Sequence, residues 1–425
     1  MRGLAILLGV FGLWGIGAPS LKAQPYLPTE SSKVLVSLYV QAKPQSFVLK
    51  PQSGGYRIFG GGEELYELAA DELLYIVVSG NGVRIRTIEK ALGTYPRVLV
   101  KASSDSSFFS LTPAKPAAKK AQSYYGSVSF KGINGRIESV LETELEQYIA
   151  GVVEAEVGGR QLLEMYKVQA VIARTYALSH LEKHKTEKFN LCDDVHCQAF
   201  KGIPTSNPDI EKACQDTRNL VVVNQNNELI SAVFHANCGG QTANSEDVWP
   251  KYKSYLRSNP CPYCSTSRSY KWRFGIAAAK WDKYLSDNGA RSLAGYDHSS
   301  FEQRNRKTVV EVGGVALPLV KIRKDLGLRS AFFSFTQVGD SIIFSGHGFG
   351  HGVGLCQDGA SSMARMNMKY QQIVGFYYKG CRIVDRRNAI LEKEEAAPNQ
   401  PSGDTIFQPI PEMAKPRSTD DIYYE

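Results

Sequence analysis

Residues 141–184 read LETELEQYIAGVVEAEVGGRQLLEMYKVQAVIARTYALSHLEKH, and the periodicity of this stretch decides the fold class. Leu145, Ile149 and Val152 recur at helical spacing through residues 142–156, and Gly158-Gly159 stops the run. A second helix is expected from about Gln161 to about His184, with Leu163, Tyr166, Ala170, Ala173, Ala177 and Leu181 as its apolar stripe. The two form a helical hairpin. On either side the pattern changes to period two. Upstream, KVLVSLYV, ELLYIVV and PRVLVKA are β-branched runs between Gly-containing turns. The segment SYYGSVSFKGINGRIESV predicts a β-hairpin turning at Asn134-Gly135. Downstream, short strands are expected at 220–223, 229–234, 309–312 and 341–344. The expectation is an α+β fold, with β-rich parts surrounding a helical hairpin and a β-rich domain at the N-terminus.

Working outward, the chain divides into five parts. Met1-Arg2, an apolar Gly-rich core at 3–18 and small residues at 20–23 have the layout of a secretory signal peptide, residues 1–23, too short for a comfortable membrane span. An uncleaved anchor is the alternative reading. Then come the N-terminal β-rich domain at 33–112 and a Pro/Ala/Lys-rich linker at 113–123. The main domain occupies 124–385, and a polar, Pro-containing tail, 386–425, is expected to be disordered. The chain is thus expected to be exported to the periplasm or cell wall, with no transmembrane segment after cleavage.

Fifty Lys and Arg against 42 Asp and Glu give a formal charge of +8, a modest excess suited to a polyanionic partner such as a cell-wall glycan. No zinc-finger spacing, RNA-binding signature or dense basic run is present, which speaks against nucleic acid.

The chemistry-bearing residues lie in and after the hairpin. Leu145, Ile149, Val152 and Glu156 step by four, three and four, so Glu156 continues the buried stripe while Glu154 falls on the other side. A carboxylate ending an apolar face is expensive to ionise and is expected to hold its proton more tightly than a solvated one, which suits a general acid. The alternative is a helix-end residue satisfied by backbone groups or an Arg. Arg174, set among Ala and Ile, needs a partner: a sugar carboxylate, or an acid of the first helix. The run Gly346-His-Gly-Phe-Gly-His-Gly-Val-Gly354 lacks the Lys-Ser/Thr ending of a phosphate loop. Its alternating Gly permits close approach of a ligand or of another strand. His351 and Gln357 beside it are candidate substrate contacts, or groups bonded internally. Cys192-Asp-Asp-Val-His196-Cys197 has ligand types suited to zinc, but three residues are not four; His184 or Cys238 is needed to complete the set. A Cys192–Cys197 disulfide is the competing reading in an exported chain, and Cys261-Pro-Tyr-Cys264 reads as a local disulfide or a metal knuckle.

Three ordered segments, LETELEQYIAGVVEAEV, KVQAVIARTYAL and FSGHGFGHGVGLCQDGA, with FHANCGGQTANSEDVW between them, resemble the SpoIID/LytB family over residues 124–384. The resemblance implies a lytic transglycosylase acting on peptidoglycan glycan strands stripped of stem peptides. It implies Glu156 as the acid/base and a substrate-side loop at His235; Arg174, Tyr176, His351 and Gln357 are the further candidate substrate-binding residues. It requires no cofactor and allows zinc at Cys192, His196 and Cys197, since some members carry a zinc in this region. It also carries a second reading, a non-catalytic glycan-binding protein that enhances a cell-wall amidase.

Overall fold

The computed structural model describes residues 33–117, 121–290 and 298–391. The expected signal peptide lies outside these residues. Among the described residues no helix is long and apolar enough to cross a membrane.

The period-two runs become two large sheets. The first has seven strands in the order β13 (Leu191–Cys192), β1 (Lys33–Leu38), β12 (Arg136–Glu144), β11 (Ser127–Ile133), β8 (Arg97–Ala102), β3 (Tyr56–Gly60) and β4 (Glu63–Leu68). The second runs β10 (Gln122–Tyr125), β9 (Phe108–Lys115), β2 (Ser46–Ser53), β5 (Leu74–Ser79), β6 (Gly82–Arg86) and β7 (Ala91–Tyr95). Alternation places Val34, Val36, Phe47, Leu49, Ile58, Ile76, Val100, Phe109, Phe130 and Leu141 on inner faces that share one core. The hairpin between β11 and β12 turns at Asn134 and Gly135, φ 49° and 73°, as a two-residue turn demands.

Two expected boundaries look different in this architecture. β1 pairs antiparallel with β12, Lys33 opposite Glu144, and β8 pairs with β11, so strands before residue 112 and after residue 124 complete one sheet. The stretch read as a linker at 113–123 begins inside β9 and ends inside β10, which pair with one another, Leu111 opposite Gln122. Pro113, Ala114 and Lys115 of this stretch lie in β9. Residues 386–391, inside the expected tail, belong to the fold. Ala389 is fully buried and Ile390 accepts the Leu229 N–H at 2.8 Å, because the apolar run Ala-Ile-Leu at 389–391 can cover core. Residues 392–425 lie outside the described residues.

The helical hairpin is α1 (Leu145–Val157) and α2 (Leu163–Ser179). α1 starts three residues later than its spacing predicts, because Glu142 and its neighbours are spent pairing β12 with β1. It ends at Gly158, φ 67°. Tyr166, Ala170, Ala173 and Ala177 of α2 join the sheet core, whereas Met165, Val168, Val171 and Ile172 join a second core. That core is completed by β14 (Leu220–Val223) paired with β23 (Arg382–Asp385), β15 (Phe234–His235) paired parallel with β22 (Leu355–Cys356), α6 (Gln357–Arg365) and α7 (Tyr370–Tyr377). α3 (Asp209–Asp216) covers α1 and α2. A third core lies under β16 (Lys271–Ala277), β21 (Ser341–His347), β20 (Phe333–Val338) and β17 (Ser300–Phe301). Helices α4 (Ala278–Asp287) and α5 (Leu319–Leu326) and the hairpin of β18 (Val309–Val312) and β19 (Val315–Pro318) pack there. The expected strand at 229–234 is instead an irregular segment ending in β15. The architecture is α+β with a β-rich N-terminal region.

Candidate functional site

Glu156 stands half-buried in the last turn of α1, one helical step beyond Val152. Its Oε1 accepts the backbone N–H of Ala199 at 2.9 Å. Glu154, on the other side, accepts the N–H groups of Thr205 (3.0 and 3.2 Å) and Ser206 (2.7 Å). The two carboxylates therefore clasp one segment, 198–206, against α1. Gly151 makes the contact close: a Cβ there would meet the Gly202 carbonyl oxygen at 2.2 Å and the Phe200 ring at 2.5 Å. Gln198 is 2 % exposed, and its Oε1 accepts from the Tyr148 hydroxyl at 3.4 Å. Its Nε2 has no hydrogen-bond partner among the described residues. A buried amide donor left unpaired is a costly feature that a polar ligand would relieve.

Arg174 is fully buried and faces protein on every side. Its Nε and Nη2 donate to the two oxygens of Glu146 on α1 at 2.8 and 2.5 Å, while Nη1 and Nη2 donate to the carbonyls of Leu220 (3.0 Å) and Cys214 (3.4 Å). The partner it finds here is the acid of the first helix, and it pins α2 to α1, α3 and β14. Tyr176, one turn from the end of α2, stacks on His180 at 4.0 Å and accepts from Lys183 at 3.4 Å.

His235, His351 and Gln357 gather elsewhere, around β15, β22 and α6. Gly348, Gly350, Gly352 and Gly354 all have positive φ. A Cβ on Gly348 would lie 2.6 Å from the Asn237 carbonyl oxygen, and one on Gly354 2.2 Å from that of Val233. The alternating Gly thus serve the approach of another backbone: Asn237 and Phe349 exchange both bonds, at 3.0 and 2.8 Å. The Val353 N–H donates to His351 Nδ1 at 3.0 Å, which leaves Nε2–H to donate to the Phe234 carbonyl at 2.9 Å. Both nitrogens are spent internally, and Trp249 covers the ring at 4.9 Å. His235 is 4 % exposed; its Nδ1 bonds the Val353 carbonyl at 3.0 Å and its Nε2 has no partner among the described residues. Burial, and then the charge of Arg323, hold His351 down to about 3, and burial holds His235 well below its usual value, so both rings are neutral near pH 7. Gln357 Nε2 reaches Gln169 Oε1 of α2 at 3.4 Å; Gln169 Nε2 is a second buried, unpaired amide.

Cys192 and His196 are joined by Cys197 and His184, the four ligand atoms lying within 4.8 Å of one another. His184 supplies the fourth group because α2 ends at Ser179 and the chain turns back. Cys197 Sγ lies 3.4 Å from His184 Nε2 and 3.9 Å from His196 Nδ1, and Cys192 Sγ lies 3.7 Å from His196 Nδ1. Tetrahedral zinc, with bonds of about 2.3 Å to sulfur and 2.0–2.1 Å to nitrogen, sets such edges near ~3.6 Å. The donor set fits that ion. The thiol of Cys197 is drawn down to about 7, first by a hydrogen bond from Cys192 and with help from Lys183, which also bonds the His196 carbonyl. Cys192 lies in β13, against β1. The next residues, Gln198 and Ala199, are those that meet Tyr148 and Glu156.

A family model described as Stage II sporulation protein matches residues 133–223. Those residues contain β12, both hairpin helices, Glu156, Arg174, Tyr176 and the His184/Cys192/His196/Cys197 cluster. The stage II sporulation protein D of Bacillus subtilis is 30 % identical over 295 residues, covering 66 % of this chain and 85 % of that protein. The chain belongs to the SpoIID/LytB family. Among other SpoIID/LytB relatives, an uncharacterised protein of Brachyspira hyodysenteriae is 29 % identical over 337 residues, 78 % of this chain and 87 % of that one. An amidase enhancer of B. subtilis is 24 % identical over 294 residues, 55 % of this chain and 39 % of that protein.

Two features of the site escaped the sequence. One is the clasp of segment 198–206 by Glu154 and Glu156, for which Gly151 inside a helix was the available signal. The other is the position of the unpaired amides of Gln169 and Gln198, which nothing in the one-dimensional pattern distinguishes from surface Gln.

Proposed function

We propose that this chain cleaves peptidoglycan glycan strands as a lytic transglycosylase with Glu156 as its acid and base. The observation that carries the reading is the placement of Glu156. It is half-buried and oriented by the Ala199 N–H, whose neighbour Gln198 carries a buried, unpaired amide, and it lies in the segment matched by the family model. Glu156 donates its proton to the glycosidic oxygen after N-acetylmuramic acid as the C1–O bond breaks. The carboxylate then takes the proton of that sugar's own 6-hydroxyl as its oxygen bonds C1. The ring closes to a 1,6-anhydro end, one carboxylate serves both steps, and no water is consumed. The +8 excess suits strands whose lactyl carboxylates have been exposed by peptide removal. The signal-like N-terminus would deliver the chain to the periplasm or wall.

Zinc at His184, Cys192, His196 and Cys197 would be structural, since four protein ligands leave no open position. These residues would fix the lead-in to Gln198 and Ala199, and hence the orientation of Glu156.

The kinship with an amidase enhancer supports a second reading, a glycan-binding partner of a cell-wall amidase. Digestion of purified peptide-free glycan strands by wild type and Glu156→Gln, read by mass spectrometry, separates the two. Anhydro-muramic ends are expected from wild type, with a loss of about 100-fold or more in the variant. Reducing ends would mean hydrolysis. Strands bound but uncut by both proteins would move the assignment to the enhancer.

A further inference from the structure

Five of the eight cysteines lie outside the segment matched by the family model and outside the His/Cys cluster, and four of them converge. Cys238 follows β15, Cys261 and Cys264 flank a single 3₁₀ turn, and Cys356 ends β22 and caps α6. All four are 0 % exposed, and their Sγ atoms lie within 4.8 Å of one another. We propose that Cys238, Cys261, Cys264 and Cys356 bind one zinc ion as a closed four-thiolate site that locks the 235–264 segment onto the start of α6.

The spacing favours a single ion. Cys238 and Cys264 are 3.5 Å apart, close to the ~3.8 Å edge that zinc–sulfur bonds of about 2.3 Å produce. An S–S bond requires about 2.05 Å. A cubane iron–sulfur cluster would spread its four thiolates wider than this pocket does. Cys-Pro-Tyr-Cys supplies the two-residue knuckle on which zinc ribbons are built, and the remaining two ligands arrive singly from 26 and 92 residues away, by subtraction from Cys264.

The surroundings are those of bound thiolates. The backbone N–H groups of Cys238 and Gly359 both point at Cys356 Sγ, at 3.3 and 3.4 Å, and the Tyr377 hydroxyl lies 3.3 Å from Cys261 Sγ. Such donors orient thiolates around an ion. Gly359 is spare for the same reason: a Cβ there would come within 3.0 Å of Cys261 Sγ and 2.2 Å of the Tyr377 oxygen. Four thiolates on a divalent ion carry two net negative charges. Arg306 lies over the site, its Nη2 donating to the Cys238 carbonyl at 2.8 Å and its Nε to that of Gln241 at 2.7 Å, and partly offsets them.

The test is metal content of the full chain as purified, by elemental mass spectrometry, on wild type, His196→Ala and Cys356→Ser. His196→Ala is expected to retain one zinc, whose X-ray absorption spectrum shows a shell of four sulfurs and no nitrogen. Cys356→Ser is expected to lose one equivalent relative to wild type. The His196→Ala measurement leaves all four cysteines in place and so stands even where Cys356→Ser fails to fold. A metal-free His196→Ala chain, a nitrogen-containing shell, or iron in place of zinc overturns the proposal. So does an intact mass, without reductant, showing these four cysteines joined in two disulfides.

Discussion

At the scale of single residues, the deciding contrast is between side chains whose polar atoms are spent and those that are not. Arg174 is spent. Removing its guanidinium strands Glu146 and the carbonyls of Cys214 and Leu220, so Arg174→Ala is expected to cost about 3–5 kcal/mol of stability. Arg174→Lys should restore little, because Glu146 is held bidentately. Calorimetry checks this, and a variant that melts like wild type yet binds glycan weakly would return Arg174 to the substrate. The need for a partner was legible from an Arg among Ala and Ile. Which partner was not, because an ion pair between two helices and one with a ligand leave the same trace in one dimension. His235 and His351 make a pH prediction. Their folded pKa values are depressed below that of the unfolded chain, so the unfolded state binds more protons as pH falls below about 6.5. Their contribution is therefore complete above that pH and lost on acidification, at up to about 1.4 kcal/mol per pH unit for each ring. Denaturant midpoints between pH 7 and 5 should fall, and less steeply in His351→Gln; equal slopes would dismiss the assignment.

At the scale of elements, the hairpin was readable because each helix has an apolar stripe, and its ends were not because tertiary partners trimmed them. Residues 142–144 were claimed by β1, and residues 180–184 left the helix to carry His184 to Cys197. The stripe on α2 described one buried face. The opposite face, Met165, Val168 and Ile172, is buried too, since α2 runs between two cores and a helix so placed is apolar nearly all round. The element-level prediction concerns Gly151. Ala has the higher helix propensity, yet Gly151→Ala would press on the Gly202 carbonyl and the Phe200 ring. It should destabilise by about 1–3 kcal/mol through overpacking and loosen the Ala199–Glu156 bond. We expect glycan cleavage to fall more than binding; unchanged cleavage and melting would show that segment 198–206 moves aside freely.

At the scale of the whole molecule, short alternating runs identify strands but not their distant partners. The sequence could therefore show a β-rich N-terminal region without showing that it closes the same sheet as β11 and β12. A chain beginning at Tyr124 lacks β1, β3, β4 and β8 from that sheet and β2, β5, β6, β7 and β9 from the other. It is expected to be protease-sensitive and without a cooperative melting transition, and a folded fragment of that length would contradict the shared core. The pairing of β1 has a further consequence, in time. Lys33 waits for Glu144, 111 residues later by subtraction, and Val36 for Leu191, 155 residues later. At about 5–20 residues per second of synthesis, the strand KVLVSL emerges many seconds before the strands that pair with it. The newborn chain thus offers a strand without its pairing partners to whatever holdase reaches it first, and that interval, set by topology alone, is the window in which it can be kept unfolded.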